Sequence, residues 1–593
     1  MNDLTLFSAS SAAPAMAPSP LAQDCAGQDF YAIDRGLQDL IRLHLDPAIR
    51  TQLEPHFQRL GQLAGGRLDE IARLADRNPP VLHARDQFGR DQDWIEYHPA
   101  YRELESIAFG DFQFHAMSHR AGVLGLDRPM PAAAKYAFQY LFVQAEFGIM
   151  CPISVSDTSI HLIRRYATPA LKEYLLPRML SGDMATLWKG TQFMTEKAAG
   201  SDVGQVETVA RNEGGRWRLT GEKWFCSHTD AHVALMLARP EGAPSGTAGL
   251  ALFACPRYLP DGSRNSYRIV RLKDKLGTRS MASGEIRFEG AEAYLVGDQT
   301  RGLKQMMDQV NLSRLSHGVR AASMMRRCLN EALTAARTRR AFGREIIEFP
   351  LLRRQLMKIL VPAEQALSMA MLTAATMDRQ TAGDNQAASL TRILTPLIKL
   401  RACRDNIKVA TGAMEVRGGN GYIEEWVNAR LVRDAQIGVL WEGTSNINAI
   451  DVVRRAVGKS GSDEALRGFL AARIEDAGAL PAAYRGRLET LLDRAFAFAR
   501  GVAANDAADG ERHARLASTA LYNVASAITL AWEATRPGAD ARRALVSRFV
   551  VEHRLEIADP LLPSNDTWER EGVALLLDPE PVALAKANAL LVA

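Results

Sequence analysis

Two short runs hold the residue types that carbon-acid chemistry needs. The first is Trp441-Glu442-Gly443-Thr444-Ser445-Asn446. To remove a proton alpha to a carbonyl, a carboxylate must sit in an apolar slot, where lost solvation lifts its pKa toward the working pH. Leu440 and Trp441 give Glu442 an apolar approach, and Gly443 leaves room for a ligand against the backbone. Thr444, Ser445 and Asn446 are capping types ahead of the helical spacing Ile447, Ile450, Val453. The N–H groups of such a helix start would favour a bound diphosphate. Taken alone, Glu442 reads first as an ordinary acid favoured by a helix N-terminus, and as a base only in the company of the rest of the chain.

The second run, Met194-Thr195-Glu196-Lys197-Ala198-Ala199-Gly200-Ser201-Asp202-Val203, sets hydroxyls on a glycine-bearing loop. Further on, Trp224-Phe225-Cys226-Ser227 ends a segment of strand-favouring residues, Arg339-Arg340-Ala341-Phe342-Gly343 joins a guanidinium to an aromatic, and Glu415 precedes Gly418-Gly419-Asn420-Gly421. That glycine turn is no dinucleotide fingerprint: no strand precedes it, and Glu424 stands where the last glycine is needed.

The elements that would position these residues follow from periodicity. From about 29 to 190 the spacing is helical, interrupted by an irregular stretch from Asn78-Pro79-Pro80 to His98-Pro99. Strands are expected at 216–226, 234–238, 249–253 and 284–288, in a β domain spanning 191–301. A helical bundle follows over 302–459, and an Ala/Leu/Arg-rich helical extension, broken at Pro560 and Pro563, over 460–593. Residues 1–28, rich in Ala, Ser and Pro, are expected to form a flexible leader; they lack the basic start of a secretory signal, which points to a cytoplasmic protein.

Composition bounds the rest. The chain has 593 residues, 47% apolar and 24% charged, ordinary for a globular protein with several domains. No run approaches the roughly 18 consecutive apolar residues of a membrane span. Cys25, Cys151, Cys226, Cys255, Cys328 and Cys403 lie far apart, indicating neither a zinc site nor a disulfide framework. A net charge of +4 does not by itself call for a nucleic-acid partner.

Helical, then β, then helical bundle resembles the acyl-CoA dehydrogenase family, and the Trp441–Asn446 and Met194–Val203 runs resemble its catalytic-base segment and its FAD-cradling loop. Asn78-Pro79-Pro80, Asp86-Gln87-Phe88-Gly89-Arg90, His98-Pro99, Asp230-Ala231-His232, Leu259-Pro260-Asp261-Gly262 and Lys273-Asp274-Lys275-Leu276-Gly277 are most similar to the alkylation-response (AidB-type) branch, which adds a fourth helical domain. The resemblance covers about residues 30 to 460 and implies a homotetrameric flavoprotein.

It further implies roles. Glu442 is the base; Met194, Thr195 and Ser201 border the flavin, with Ser201 also at the substrate junction; Phe225, Cys226 and Ser227 lie against the ring, where a hydroxyl can tune hydride acceptance. As adjacent strand residues face opposite ways, one of Trp224 and Phe225 is expected in the strand core. Arg339, with Phe342, reaches the FAD diphosphate of a neighbouring subunit. Glu415 and Gly419 approach the ribose and phosphates; Trp441, Thr444 and Asn446 complete the cofactor contacts. Gly443, Arg314 and Arg454 join the substrate wall, the arginines with a solvated surface charge as the alternative.

The implied reaction is alpha-proton abstraction from an acyl-CoA or related thioester, with beta-hydride transfer to FAD, giving a 2-enoyl thioester. An electron-transferring flavoprotein would then take the electrons. The alternative implied by the same branch is a DNA-binding flavoprotein of the adaptive response to alkylation damage with weak dehydrogenase activity. From 460 to 593, 15 Lys and Arg face 19 Asp and Glu, which disfavours phosphate binding. The window Arg536, Arg542, Arg543, Arg548, Arg554, opposed by Asp540 and Glu552, is the part best suited to it.

Overall fold

In the computed structural model, residues 21–557, 559, 561 and 567–592 are described. Residues 1–20 of the expected leader, Pro560 and Pro563 lie outside them. Residues 21–28 depart from the leader reading. Cys25 is fully buried and donates to Glu331 at 3.0 Å, and Gly27 N–H bonds Gly65 O at 2.6 Å, so this stretch is packed.

The N-terminal region holds helices α1 (Arg35–His44), α2 (Pro47–Gly65) and α3 (Arg67–Arg77), then α4 (Pro99–Glu105), α5 (Ala132–Val143), α6 (Met150–Tyr166) and α7 (Pro169–Met179). Local chemistry starts them: Asp34 caps α1, Asp46 caps α2 with Pro47 in its first turn, and Thr168 does the same for α7 with Pro169. The stretch between α3 and α4, read as irregular, is an antiparallel hairpin of β1 (Val81–Arg85) and β2 (Asp91–Glu96). Its turn is closed by Asp86, whose carboxylate accepts from Phe88 and Arg90 N–H. Asp93 then docks the hairpin on the β domain by accepting from Ile269 N–H at 2.9 Å.

The β domain comprises β3 (Gly190–Phe193), β4 (Val209–Glu213), β5 (Arg216–Ser227), β6 (Val233–Pro240), β7 (Ala251–Pro256), β8 (Tyr267–Leu272) and β9 (Ser283–Leu295). Pairings β6–β4–β5–β9–β7 return to β6, closing a small barrel, with β3 added beside β6 and β8 beside β9. Gly277 lets the loop after β8 press on the bundle: a Cβ there would lie 2.6 Å from Arg433 O, while Thr278 N–H bonds Asp434 at 2.6 Å.

Long helices α8 (Gly302–Thr338), α9 (Pro350–Thr381) and α10 (Asn385–Arg417) form the bundle, joined by α11 (Val427–Ala435), α12 (Ser445–Ile450) and a π-helical turn, Asp451–Val457. By length and composition α9 is apolar enough to cross a membrane, but 94% of its most apolar window is buried inside the molecule. The extension contributes α13 (Ser462–Asp476), α14 (Ala482–Ala504), α15 (Ala507–Glu533), α16 (Arg542–Val550), α17 (Thr567–Leu577) and α18 (Leu584–Val592). One apolar core runs through the N-terminal helices, barrel, bundle and extension. A second lies between α6, α7 and one side of the barrel. All six cysteines are free and buried.

Candidate active site

Glu442 sits in a turn that an ordinary residue avoids. Its φ is +53° and that of Gly443 is +90°. The left-handed region costs a residue with a side chain about 1–2 kcal/mol, so such a turn persists where neighbours hold it. Here they do. Arg314 Nε donates to Glu442 O at 3.2 Å, and Lys399 Nζ and Asn448 Nδ2 donate to Gly443 O at 2.7 and 2.8 Å. Gly443 is required for a second reason: a Cβ there would crowd Ile447 at 3.0 Å. Thr444 caps α12 by accepting from Ile447 N–H at 3.5 Å. The helix lasts six residues before the π turn, whose Asp451 receives Arg314 at 2.9 Å and both arms of Arg392 at 2.8 and 3.1 Å.

The carboxyl of Glu442 accepts from Ser313 Oγ at 3.0 Å. Burial raises its pKa above the usual glutamate value, against the opposing pull of the Ser313 hydrogen bond and of Arg314, Lys399 and Arg320. Burial also draws Lys399 down to about 8, and holds His317 well below its ordinary value, so that imidazole is neutral. Trp441 stacks on Phe147 at 6.4 Å and tilts against His317 at 5.3 Å, walling the turn with aromatic rings. This is a desolvated carboxyl with a defined hydroxyl partner, the arrangement a general base needs.

On the barrel side, Thr195 O accepts from Trp224 N–H at 2.9 Å, joining the 194–201 loop to β5. The loop is shaped by Glu196, which accepts from Glu207 N–H, Thr208 Oγ1 and Lys223 Nζ at 2.6, 2.5 and 2.6 Å. Glu196 and Lys223 are both buried. The alternation expected at the end of β5 fails, because a bulge sets Trp224 and Phe225 opposite Glu285 alone. Lys223 and Cys226 turn inward while Trp224 stays half-buried and Phe225 is 56% exposed, so neither aromatic is core. Cys226 is therefore corrected: its thiol lies in the barrel core, not on an open face. Ser227 Oγ approaches Ser283 Oγ at 3.4 Å, Met194 is half-buried, and Ser201 is exposed on its turn.

A second group gathers at the other end of α8. Arg339 Nη1 reaches Arg417 O at 3.4 Å, Glu415 accepts from Gln355 Nε2 at 2.9 Å, Gly419 has open space where a Cβ would stand, and Phe342 is 95% exposed with φ +53°. Ser313 lies on α8 and Arg339 caps its C-terminal end 26 residues on, which puts about 39 Å between the two residues along the helix.

Arg454 is the second correction. Its guanidinium donates to the carbonyls of Ala503, Asn505 and Asp506 at the end of α14, so it ties the extension to the bundle and takes no place on a substrate wall. Thr444 and Asn446 are exposed on the turn that carries Glu442. Sequence reasoning missed Ser313, Lys399 and Arg320, which are polar residues on long helices, and Glu196 and Lys223, 27 residues apart in the chain and brought together by the folding of the loop onto β5.

Comparison with known proteins matches three family descriptions. They are "Adaptive response protein AidB N-terminal domain" over residues 21–184, "Acyl-CoA dehydrogenase, middle domain" over 191–291, and "Acyl-CoA dehydrogenase, C-terminal domain" over 300–457. The chain is 34% identical over 394 residues to the putative acyl-CoA dehydrogenase AidB of Escherichia coli, covering 65% of this chain and 70% of that protein. Among solved structures, ACDH-11 of Caenorhabditis elegans in complex with C11-CoA superposes with a TM-score of 0.83 at 25% identity, covering 92% of this chain and 95% of that one. The apo form of Bd2924 gives a TM-score of 0.78 at 28% identity, covering 86% and 99%.

Proposed function

The chain belongs to the acyl-CoA dehydrogenase family, flavin oxidoreductases acting on CH–CH bonds, and carries the AidB-type N-terminal domain; on that footing we propose that it is an FAD-dependent acyl-CoA dehydrogenase with Glu442 as its base. The observation that carries this reading is the Glu442 turn: a desolvated carboxyl on Ser313, in a backbone conformation maintained by Arg314 and Lys399.

The residues present fit the cofactor. The β5 bulge leaves Phe225 exposed beside the 194–201 loop, which supplies a flat apolar surface next to polar groups. Met194, Thr195, Ser201, Phe225, Ser227 and Trp441 would hold the flavin, with Thr444 and Asn446 at the turn's open side. When bound, FAD supplies the hydride acceptor. Glu442 takes the alpha proton at its carboxylate. Its raised pKa strengthens it as a base, while the turn fixes its direction and the stacked Trp441 and Phe147 rings give it an apolar neighbour. Arg339, Phe342, Glu415 and Gly419 would serve the diphosphate end. The span of about 39 Å from Ser313 to Arg339 supports assigning that group to a neighbouring copy's cofactor, in a homo-oligomer as in the tetramer reading. Acyl-CoA is the proposed substrate, in keeping with the C11-CoA complex of the nematode neighbour, and an electron-transferring flavoprotein the proposed acceptor.

The DNA-binding alternative loses its best surface. Arg536 pairs with Asp476, Arg542 with Asp540, Arg543 with Glu533 and Arg554 with Asp405, while Arg548 is buried against the Trp568 ring and Leu590 O. These arginines hold the extension together and onto the bundle, which weighs against the DNA-binding reading. The deciding experiment is anaerobic: purified holoenzyme is mixed with acyl-CoAs and the flavin band is followed. Bleaching by a thioester supports the dehydrogenase reading; an unreduced flavin across the panel contradicts it.

A further inference from the structure

The molecule buries several arginines, and most of them meet a carboxylate; Arg257 has none but donates to Asp93 O at 2.8 Å. Arg326 pairs with Asp34 and Glu364, Arg327 with Asp69 and Glu331, Arg417 with Glu331, and Arg543 with Glu533. Arg320 is equally deep, 1% exposed, yet among the described residues it has no carboxylate within ion-pair distance. Its hydrogen bonds to Ser316 O and His317 Nε2 are long, both 3.4 Å, and its other side-chain polar neighbour is the buried thiol of Cys151. Its Nη1 has no hydrogen-bond partner, and neither has the buried Nδ1 of His317 beside it. A buried guanidinium without a counter-charge is strongly unfavourable, and buried polar atoms left unpaired in a folded protein call for a partner.

Its place says which partner. Arg320 lies seven residues, two helical turns, beyond Ser313 on the same face of α8, and Ser313 is the residue that holds the carboxyl of Glu442. The guanidinium carbon is 5.6 Å from the ring centre of Phe147 and 5.8 Å from that of Trp441. It therefore sits beside the stacked Phe147 and Trp441 rings, close to the base, where the apolar surface suits methylene groups. Lys399, the other cation beside Glu442, is spent on Gly443 O. With Arg314 already neutralised by Asp451, Glu442 is, among the described residues, the carboxylate that acts on both Arg320 and Lys399.

We propose that Arg320 is a carboxylate-binding subsite at the inner end of the acyl cleft, and that the substrate is the CoA monothioester of a short dicarboxylic acid. The planar fork of a guanidinium matches a terminal carboxylate in two parallel hydrogen bonds, and an apolar-walled site makes that recognition selective. His317 Nδ1 is placed to add a further bond, and Phe147 and Trp441 line the path of the intervening methylenes. This specificity rests on the dehydrogenase reading above and refines it.

The test uses the FAD-loaded enzyme under anaerobic conditions. Flavin reduction by glutaryl-, adipoyl- and suberoyl-CoA is compared with reduction by butyryl-, hexanoyl- and octanoyl-CoA. The wild type is expected to favour at least one dicarboxylyl thioester over its monocarboxylyl counterpart by about ten- to a hundred-fold in reduction rate over dissociation constant, the worth of a charge-assisted hydrogen-bond pair. Arg320→Met is expected to lose that preference, read as the ratio of dicarboxylyl to monocarboxylyl values within the same variant so that any common change at Glu442 cancels, and Arg320→Lys to keep part of it. Should Arg320→Met not fold, the wild-type preference and the Arg320→Lys series decide. A wild type that prefers plain acyl chains, or a preference that survives Arg320→Met, overturns the subsite while leaving the dehydrogenase intact. Failure of every thioester to reduce the flavin overturns the dehydrogenase reading and the subsite with it.

Discussion

At the scale of single residues, the account turns on how a carboxyl is made into a base. Glu442→Gln keeps shape and the Ser313 hydrogen bond but loses proton affinity. Flavin reduction by acyl-CoA should fall by about 10²-fold or more with FAD still bound, measured by stopped-flow absorbance. The pH dependence has a definite sign. Burial raises the pKa of Glu442, and only the ionised carboxyl accepts a proton, so the wild-type reduction rate should climb as pH rises through that raised value and level off above it. A rate that declines over the same range would point to a different base. The sequence exposed this residue because Trp, Glu, Gly and three capping types stand together. It could not expose Ser313, Lys399 or Arg320, which lie 129, 43 and 122 positions away along the chain and meet Glu442 only through the packing of α8 and α10. Arg454 misled for the converse reason: an arginine twelve residues after the base could face either way, and it faces the extension.

At the scale of elements, a fully buried ion pair sets the flavin loop. Glu196 and Lys223 join the loop to β5, and removing one partner of such a pair leaves an uncompensated charge, which costs about 3–5 kcal/mol. Lys223→Met should therefore lower the denaturant midpoint markedly and loosen FAD retention together, read by chemical denaturation and by flavin loss on gel filtration. Near-unchanged stability would mean that the loop is held elsewhere. Strand positions were legible from β-favouring residues between turns, and β5, β6, β7 and β9 lie over the expected segments. The bulge at Trp224-Phe225 was not, because alternation carries no signal of an inserted residue until the partner strand is known. The β1–β2 hairpin was hidden in the same way: its Pro- and Asp-rich flanks carry turn signals, and its pairing is fixed by docking on the barrel.

At the scale of the whole molecule, the extension is an integral layer. Arg543 alone connects α16 to Glu533 of α15, to Ser368 of α9 and to Gly36 O of α1. Arg543→Ala should cost about 3–5 kcal/mol, and thermal unfolding would check it. The same fact changes how DNA binding can be tested: neutralising Arg542, Arg543 and Arg548 together removes internal bonds, so weaker DNA binding in that variant would report lost structure. The order of helical region, barrel, bundle and extension was legible because periodicity changes at each junction. The inward use of the extension's arginines was not, since charge counts carry no direction.

The most direct measurement of the central claim is anaerobic flavin reduction by a panel of straight and dicarboxylyl acyl-CoAs, run side by side on wild type and Glu442→Gln. The account predicts that both proteins are yellow, that the wild-type flavin bleaches with at least one thioester, and that the Gln variant's does not on the same timescale. A wild type that holds no FAD and cannot be reconstituted with it, or a Gln variant that bleaches at the wild-type rate, would contradict it.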